Sequence, residues 1–159
     1  MTSRIAARES LGNPSFPGGR LPEAETTFHV RYAETDQMGI VHHSAYIVWF
    51  EEGRSALSRH LGRPYAEFEQ TGLALAVSEV SARYLVPARY DQRVTVRTRV
   101  GQVRSRQIRF EYEVYDSETG QCLVIGHTSH ICLDPEGRAA RIPDAWRELW
   151  GGVATKGGT

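Results

Sequence analysis

Apolar and polar residues alternate most cleanly over residues 108–115. Ile108, Phe110, Tyr112 and Val114 are separated there by Arg109, Glu111, Glu113 and Tyr115. A period of two places the first set on one face of a strand and the second set on the other. Val94, Val96 and Val100 alternate with Thr95, Arg97 and Arg99 in the same way. Leu123, Ile125, Ile131 and Leu133 mark one face of another strand. An apolar run over residues 73–86, closed by Pro87, predicts a further strand. Phe28, Val30 and Tyr32 share a face in a first strand over residues 25–32. Between these segments the period changes to three and four. Tyr46, Trp49, Phe50, Gly53, Ala56, Leu57, His60 and Leu61 draw one broad helical stripe. Glu51, Ser55, Ser58 and Arg59 fall mostly on the opposite side. Ser44 can cap this helix and Gly62 can end it. A short helix is predicted over residues 64–71, with a proline early and Gly72 after its end. The segments DSETGQ and DPEGR read as turns, and PDAWRELW predicts a terminal helix.

The order is strand, long helix, short helix, then four strands in a meander, which implies an α+β fold. A sheet wrapped around the helix buries both apolar faces at once. The long strands at 94–100 and 108–114 leave edges that need cover, and edge-to-edge dimerisation is one way to supply it. Residues 1–24, rich in Gly, Pro, Ser and charge, read as a tail, as do residues 151–159. One domain over residues 25–150 lies between them. Charge then narrows the function classes. Lys plus Arg number 19 and Asp plus Glu number 19, so nothing suggests general nucleic-acid binding or a polybasic membrane anchor. No apolar run approaches the roughly 20 residues that span a bilayer, and the N-terminus lacks the apolar stretch of a secretory signal. Cys122 and Cys132 match no common zinc or redox spacing and read as small core residues in a reducing cytoplasm.

The chemistry concentrates in AETDQMGIVHHSAYIVWFEEGR, which starts like a turn and ends as the long helix. Asp36, Gly39, Ile40, Val41, His42, His43 and Tyr46 occur in an order that resembles the active-site segment of the 4-hydroxybenzoyl-CoA thioesterase family. The downstream strand order agrees, so the resemblance covers residues 25–145. It implies a hotdog fold, an antiparallel sheet wrapped around one long central helix. It also implies an acyl-CoA thioesterase, homodimeric or built as a dimer of dimers, with each active site at a subunit interface. Asp36 matches the catalytic carboxylate. The backbone N–H of His43 matches the donor that polarises the thioester carbonyl. Gly39, Val41, His42 and Tyr46 fall at the substrate and acyl pocket. Arg104 and Arg106, in VGQVRSRQ, fall where basic residues contact the phosphates of CoA. CoA is then part of substrate and product, and the resemblance implies no separate cofactor.

The physical chemistry suits this reading. A thioester carbonyl gains negative charge as it is attacked. A helix N-terminus offers unsatisfied N–H groups and about half a positive charge. Loss of one such donor typically costs about 100- to 1000-fold in rate. Gly39 lets the backbone approach a ligand closely. A carboxylate nearby can attack the carbonyl or draw a proton from water, and the sequence leaves both roles open. The plain structural alternative for Asp36 is an Asx turn with Met38 or Gly39. His42 and His43 are adjacent and expected to point apart, and His127 and His130 to face opposite sides of a strand, so no metal site is predicted. Glu51 and Glu52 are rival acids on the helix, expected instead to pair with Arg54, Ser55 or solvent. The competing functions are an acyl-carrier-protein thioesterase, a hotdog dehydratase and a non-catalytic acyl-CoA binding protein.

Overall fold

The structure, a computed structural model, describes residues 21–152. Its elements are β1 (Glu23–His29), a 3-10 turn (Tyr32–Glu34), α1 (Ala45–His60), α2 (Tyr65–Glu69), β2 (Ala74–Tyr84), β3 (Arg93–Val103), β4 (Gln107–Asp116), β5 (Cys122–Leu133) and α3 (Asp144–Gly151). Because β1 starts at Glu23, it begins inside the tail predicted to end at residue 24. Residues 1–20 and 153–159, the bulk of both predicted tails, lie outside the described residues. No helix among the described residues is long and apolar enough to cross a membrane.

The five strands form one antiparallel sheet in the order β1-β3-β4-β5-β2. This is the hotdog architecture, with α1 against one face of the sheet. The meander is shorter than the sequence suggests. Only β3, β4 and β5 follow one another as neighbours, while β2 lies beyond β5 and β1 flanks β3. The strands carrying Val94–Val100 and Ile108–Val114 are therefore interior, and the two edges are β1 and β2. Periodicity reports which residues share a face, and it carries no information about which strand is the neighbour.

The long helix forms where its stripe predicts. Tyr46, Trp49, Phe50, Gly53 and Leu57 are buried against the sheet. Phe50 stacks on Tyr112 of β4 with centroids 4.2 Å apart. Burying a side chain the size of Phe or Leu stabilises the fold by about 1.5–3 kcal/mol. Gly53 allows the close approach. A Cβ there would lie 2.1 Å from Thr98 Oγ1 on β3. Two stripe assignments shift: Ser58 is buried and His60 is exposed. Ser44 also does not cap with its side chain.

The sheet face against α1 takes Ile108, Phe110, Tyr112 and Val114, as their alternation predicts. On β5 the buried residues are Leu123 of the predicted set together with Val124, Thr128, His130 and Cys132, whereas Ile125 is exposed and Ile131 and Leu133 are half-buried. Counting apolar residues misleads here because the buried polar groups are hydrogen-bonded. Thr128 Oγ1 lies 2.8 Å from His130 Nε2 and shares a further hydrogen bond with the Tyr112 hydroxyl. Arg54 Nη1 donates to that same hydroxyl at 3.1 Å. At the far end of α1, Trp146 and Trp150 of α3 pack with Phe68 of α2, and the Arg63 guanidinium lies 4.1 Å over the Trp146 ring. Cys132 is buried and Cys122 half-buried; both thiols are free, and burial pushes both up.

Candidate active site at the start of the central helix

The segment between β1 and α1 folds as a small hairpin. Thr35 and Val41 form an isolated antiparallel bridge. At its tip the Asp36 N–H donates to the Ile40 carbonyl at 2.8 Å, and the Gly39 N–H donates to the Asp36 carbonyl at 2.9 Å. Gly39 has φ +78°, a left-handed conformation that glycine adopts without strain. At its base, the His42 N–H donates to the Glu34 carbonyl at 2.8 Å, and α1 starts immediately afterwards. One hairpin thus carries Asp36 at its tip and delivers His43 to the helix N-terminus.

Asp36 is half-buried and makes the Asx turn that was its plain structural alternative: Oδ1 accepts the Met38 N–H at 2.8 Å. Oδ2 has no hydrogen-bond partner among the described residues. At the helix entrance the His42 carbonyl accepts from the Ala45 N–H at 2.9 Å. That carbonyl and the His43 N–H belong to one trans peptide and point in opposite directions. The His43 N–H therefore faces out of the helix, and it has no partner among the described residues. The Ser44 N–H is satisfied by the His42 ring, donating to Nδ1 at 3.2 Å, and Ser44 Oγ lies 2.7 Å from the same nitrogen. In a neutral His42 ring this places the proton on Nε2.

Several expectations change. The His42 and His43 rings do not diverge but lie 4.1 Å apart, because both sit in an irregular turn rather than in a strand or helix. His127 and His130 do face opposite sides: His127 Nε2 meets Glu79 Oε1 at 2.6 Å on the outer face, and His130 is in the core. Among the described residues no group of three or more His, Cys, Asp or Glu is arranged to hold a metal ion. Val41 and Tyr46 are buried, beneath the exposed Gly39 and His42. The Tyr46 hydroxyl accepts the Ala88 N–H at 3.2 Å, and burial pushes its pKa up. Glu52 pairs with Arg59 at 3.3 Å rather than with Arg54, whose side chain turns inward to Tyr112.

Arg104 and Arg106 sit in the β3–β4 turn. β3 runs antiparallel to β1 and has 11 residues, so this turn is about 33 Å of strand from the hairpin that carries Asp36. One chain does not bring the arginines to Asp36. Arg104 helps line a small cleft of about 170 Å³ with Gln102, Gln107, Ile108, Arg109 and Ser129. A larger cleft of about 460 Å³ lies on the outer sheet face among Arg83, Arg97, Arg99, Arg109 and His127, away from α1.

Two residues outside the motif hold the junction. Glu34 Oε1 accepts the Arg31 N–H at 2.7 Å, and its Oε2 accepts from Trp49 Nε1, tying the hairpin to α1. Its place two residues before Asp36 is the signal that marks it. The Tyr84 hydroxyl donates to the His43 carbonyl at 2.7 Å across 41 residues of chain, and no local pattern announces that contact.

A family model described as the thioesterase-like superfamily matches residues 30–149. The chain belongs to the thioesterase-like superfamily. Among its relatives, a Bacillus subtilis (strain 168) protein provisionally named acyl-CoA thioesterase YneP is 38% identical over 107 residues, which is 67% of this chain and 77% of the relative. The solved structure of the hypothetical protein TT1821 from Thermus thermophilus superposes with a TM-score of 0.77 at 39% identity, covering 82% of this chain and 98% of that one. A structure named as a DHNA-CoA thioesterase from Staphylococcus aureus superposes with a TM-score of 0.75 at 29% identity, covering 82% and 90%. The superfamily match spans the Asp36 hairpin, α1 and all of the sheet except β1.

Proposed function

We propose that this thioesterase hydrolyses acyl-CoA to free acid and CoA at the junction of the Asp36 hairpin and α1, in the manner of the 4-hydroxybenzoyl-CoA thioesterase family. The observation that carries the reading is the outward N–H of His43, without a partner among the described residues, at the N-terminus of a 16-residue helix. The thioester oxygen accepts from that N–H and from the positive end of the helix dipole, which stabilises the charge it gains when attacked. Asp36 keeps Oδ2 available either to attack the carbonyl carbon or to take a proton from the attacking water. The thiolate of CoA then leaves with the electrons of the broken C–S bond. The names given to YneP and to the Staphylococcus protein support a CoA thioester as substrate. The pocket residues of this reading are Gly39 and His42, exposed beside the junction, with Val41 and Tyr46 buried beneath them.

The reading includes a homodimer, placed in the cytoplasm. β2 is an edge strand, and Val77, Val80, Tyr84 and Leu85 on or beside it are 40–50% exposed, next to exposed Ile47 and Val48 on α1. An apolar edge of this length is a template for a second strand. If β2 pairs antiparallel with β2 of a second copy, the Ala74 end of that copy meets the Tyr84 end of this one. Leu75 pairs with Cys132, whose N–H donates to the Arg106 carbonyl, so the β3–β4 turn belongs to the Ala74 end. Arg104 and Arg106 of the second copy are thereby brought towards His43 of the first, which reconciles their distance within one chain with a role on the CoA phosphates.

The test is thiol release from a panel of short aliphatic, long aliphatic and aromatic acyl-CoA esters, with the matching acyl-carrier-protein thioesters alongside. Wild type should turn over CoA esters and Asp36→Asn should lose at least about 100-fold in kcat. Asp36→Asn activity near wild type removes the carboxylate from the reaction. Binding without turnover by wild type replaces the enzyme with an acyl-CoA binding protein.

A further inference from the structure

We infer that Tyr84 is a positioning residue that sets the proposed oxyanion donor, by holding the backbone of His43 through its hydroxyl; the inference rests on the reading above. The phenol reaches the helix entrance from the last residue of β2 and donates to the His43 carbonyl at 2.7 Å. That carbonyl belongs to the peptide following His43. The peptide preceding it, which carries the proposed donor, is already held from the other side, because the His42 carbonyl accepts from Ala45. With both flanking carbonyls engaged, rotation about the Cα of His43 is restricted and the N–H keeps one direction. The first turn of a helix otherwise has few backbone bonds to fix it.

The phenol is itself supported. Its ring packs edge-on against Tyr46 with centroids 5.4 Å apart. Tyr46 is buried and accepts the Ala88 N–H, and the Ala88 carbonyl in turn accepts the Val41 N–H at 2.8 Å. The loop after β2 is therefore bonded both to α1 and to the base of the Asp36 hairpin. Tyr84 is nevertheless 48% exposed, so its ring contributes less to the core than Tyr46 or Trp49. A hydroxyl on a half-exposed ring, aimed at the residue that carries the proposed donor amide, is better placed to orient that amide than to stabilise the fold. Preorganised donors act because they need not reorganise as charge develops, and a displacement of about 1 Å can lower the rate by about 100-fold.

Tyr84→Phe removes the hydroxyl and keeps the ring. We expect kcat on the best acyl-CoA ester to fall between about 10- and 100-fold with KM within about twofold, since ground-state binding is untouched. The melting temperature should stay within about 2 °C, the change that follows from losing one exposed hydrogen bond. The backbone amide nitrogen signal of Ser44, whose peptide carries the bonded carbonyl, should move in the isotope-labelled variant. Tyr84→Ala should lose no less kcat than Tyr84→Phe. An unchanged kcat in Tyr84→Phe while Asp36→Asn is inactive overturns the positioning role alone. So does a kcat loss confined to Tyr84→Ala. Activity retained in Asp36→Asn, or no turnover by wild type, overturns the catalytic reading underneath, and the inference with it.

Discussion

Lowering the pH from 7 to 5 should destabilise this protein through one buried side chain, His130. The residue is 2% exposed, with Phe110 edge-on at 5.3 Å and Thr128 Oγ1 at 2.8 Å from Nε2. Nδ1 is buried with no partner in good hydrogen-bond geometry among the described residues, and the Leu75 backbone beside the ring only partly favours its charged form. Burial first, and then the positive charge of Arg54, push its pKa down to about 4. In the unfolded chain a histidine titrates near 6.5. The folded value is the lower one, so on acidification the unfolded chain takes up the proton first. The stabilisation is fully present above the unfolded value and is lost as pH falls from about 6.5 to about 4. The two values imply a loss of about 2 kcal/mol between pH 7 and pH 5, rising to about 3 kcal/mol below pH 4. The assay is urea unfolding of wild type and His130→Gln at fixed protein concentration and both pH values. Glu79 and Asp116, whose pKa values are also depressed, contribute to both proteins and cancel in the difference. The stability gap between wild type and variant should narrow by about 2 kcal/mol from pH 7 to pH 5. A gap independent of pH would falsify the assignment of a neutral, buried His130.

Three further outcomes follow from the packing and the edges. Gly53→Ala should lower stability by about 1–3 kcal/mol through overpacking against Thr98 and Val96, although alanine in an open helix would raise it by about 1 kcal/mol; thermal melting decides the sign, and Thr98→Ala in the same chain should recover part of the loss. Val80→Lys, which charges the exposed edge of β2, should give a monomer by light scattering and lose thioesterase activity, and an active monomer would refute the shared site. Arg104→Ala with Arg106→Ala should raise KM for acyl-CoA more than it lowers kcat, with less effect on an acyl-carrier-protein ester; an unchanged KM removes them from CoA binding.

The features legible in the sequence are those written in local spacing. The stripe from Tyr46 to Leu57 and the alternation from Ile108 to Val114 repeat at the periods of helix and strand, so each identifies its own buried face without reference to a neighbour. The turn that carries Asp36 was legible for the same reason, although the bridge that makes it a hairpin was not. Its Asx turn, its glycine with positive φ and its run into a helix all lie within about ten residues. What depends on distant parts of the chain was not legible. The position of β2 beyond β5, the inward turn of Arg54 to Tyr112 and the bond from Tyr84 to His43 each join residues 40 or more positions apart. The core face of β5 was misjudged because Thr128 and His130 are polar by type and become core residues only when the tertiary structure supplies their hydrogen bonds. The chain alone thus determined which faces are apolar and where an acid meets a helix start. Only the folded sheet decided which edges are free and which side chains hold that start in place, because strand order and side-chain partners are set by contacts that local periodicity does not encode.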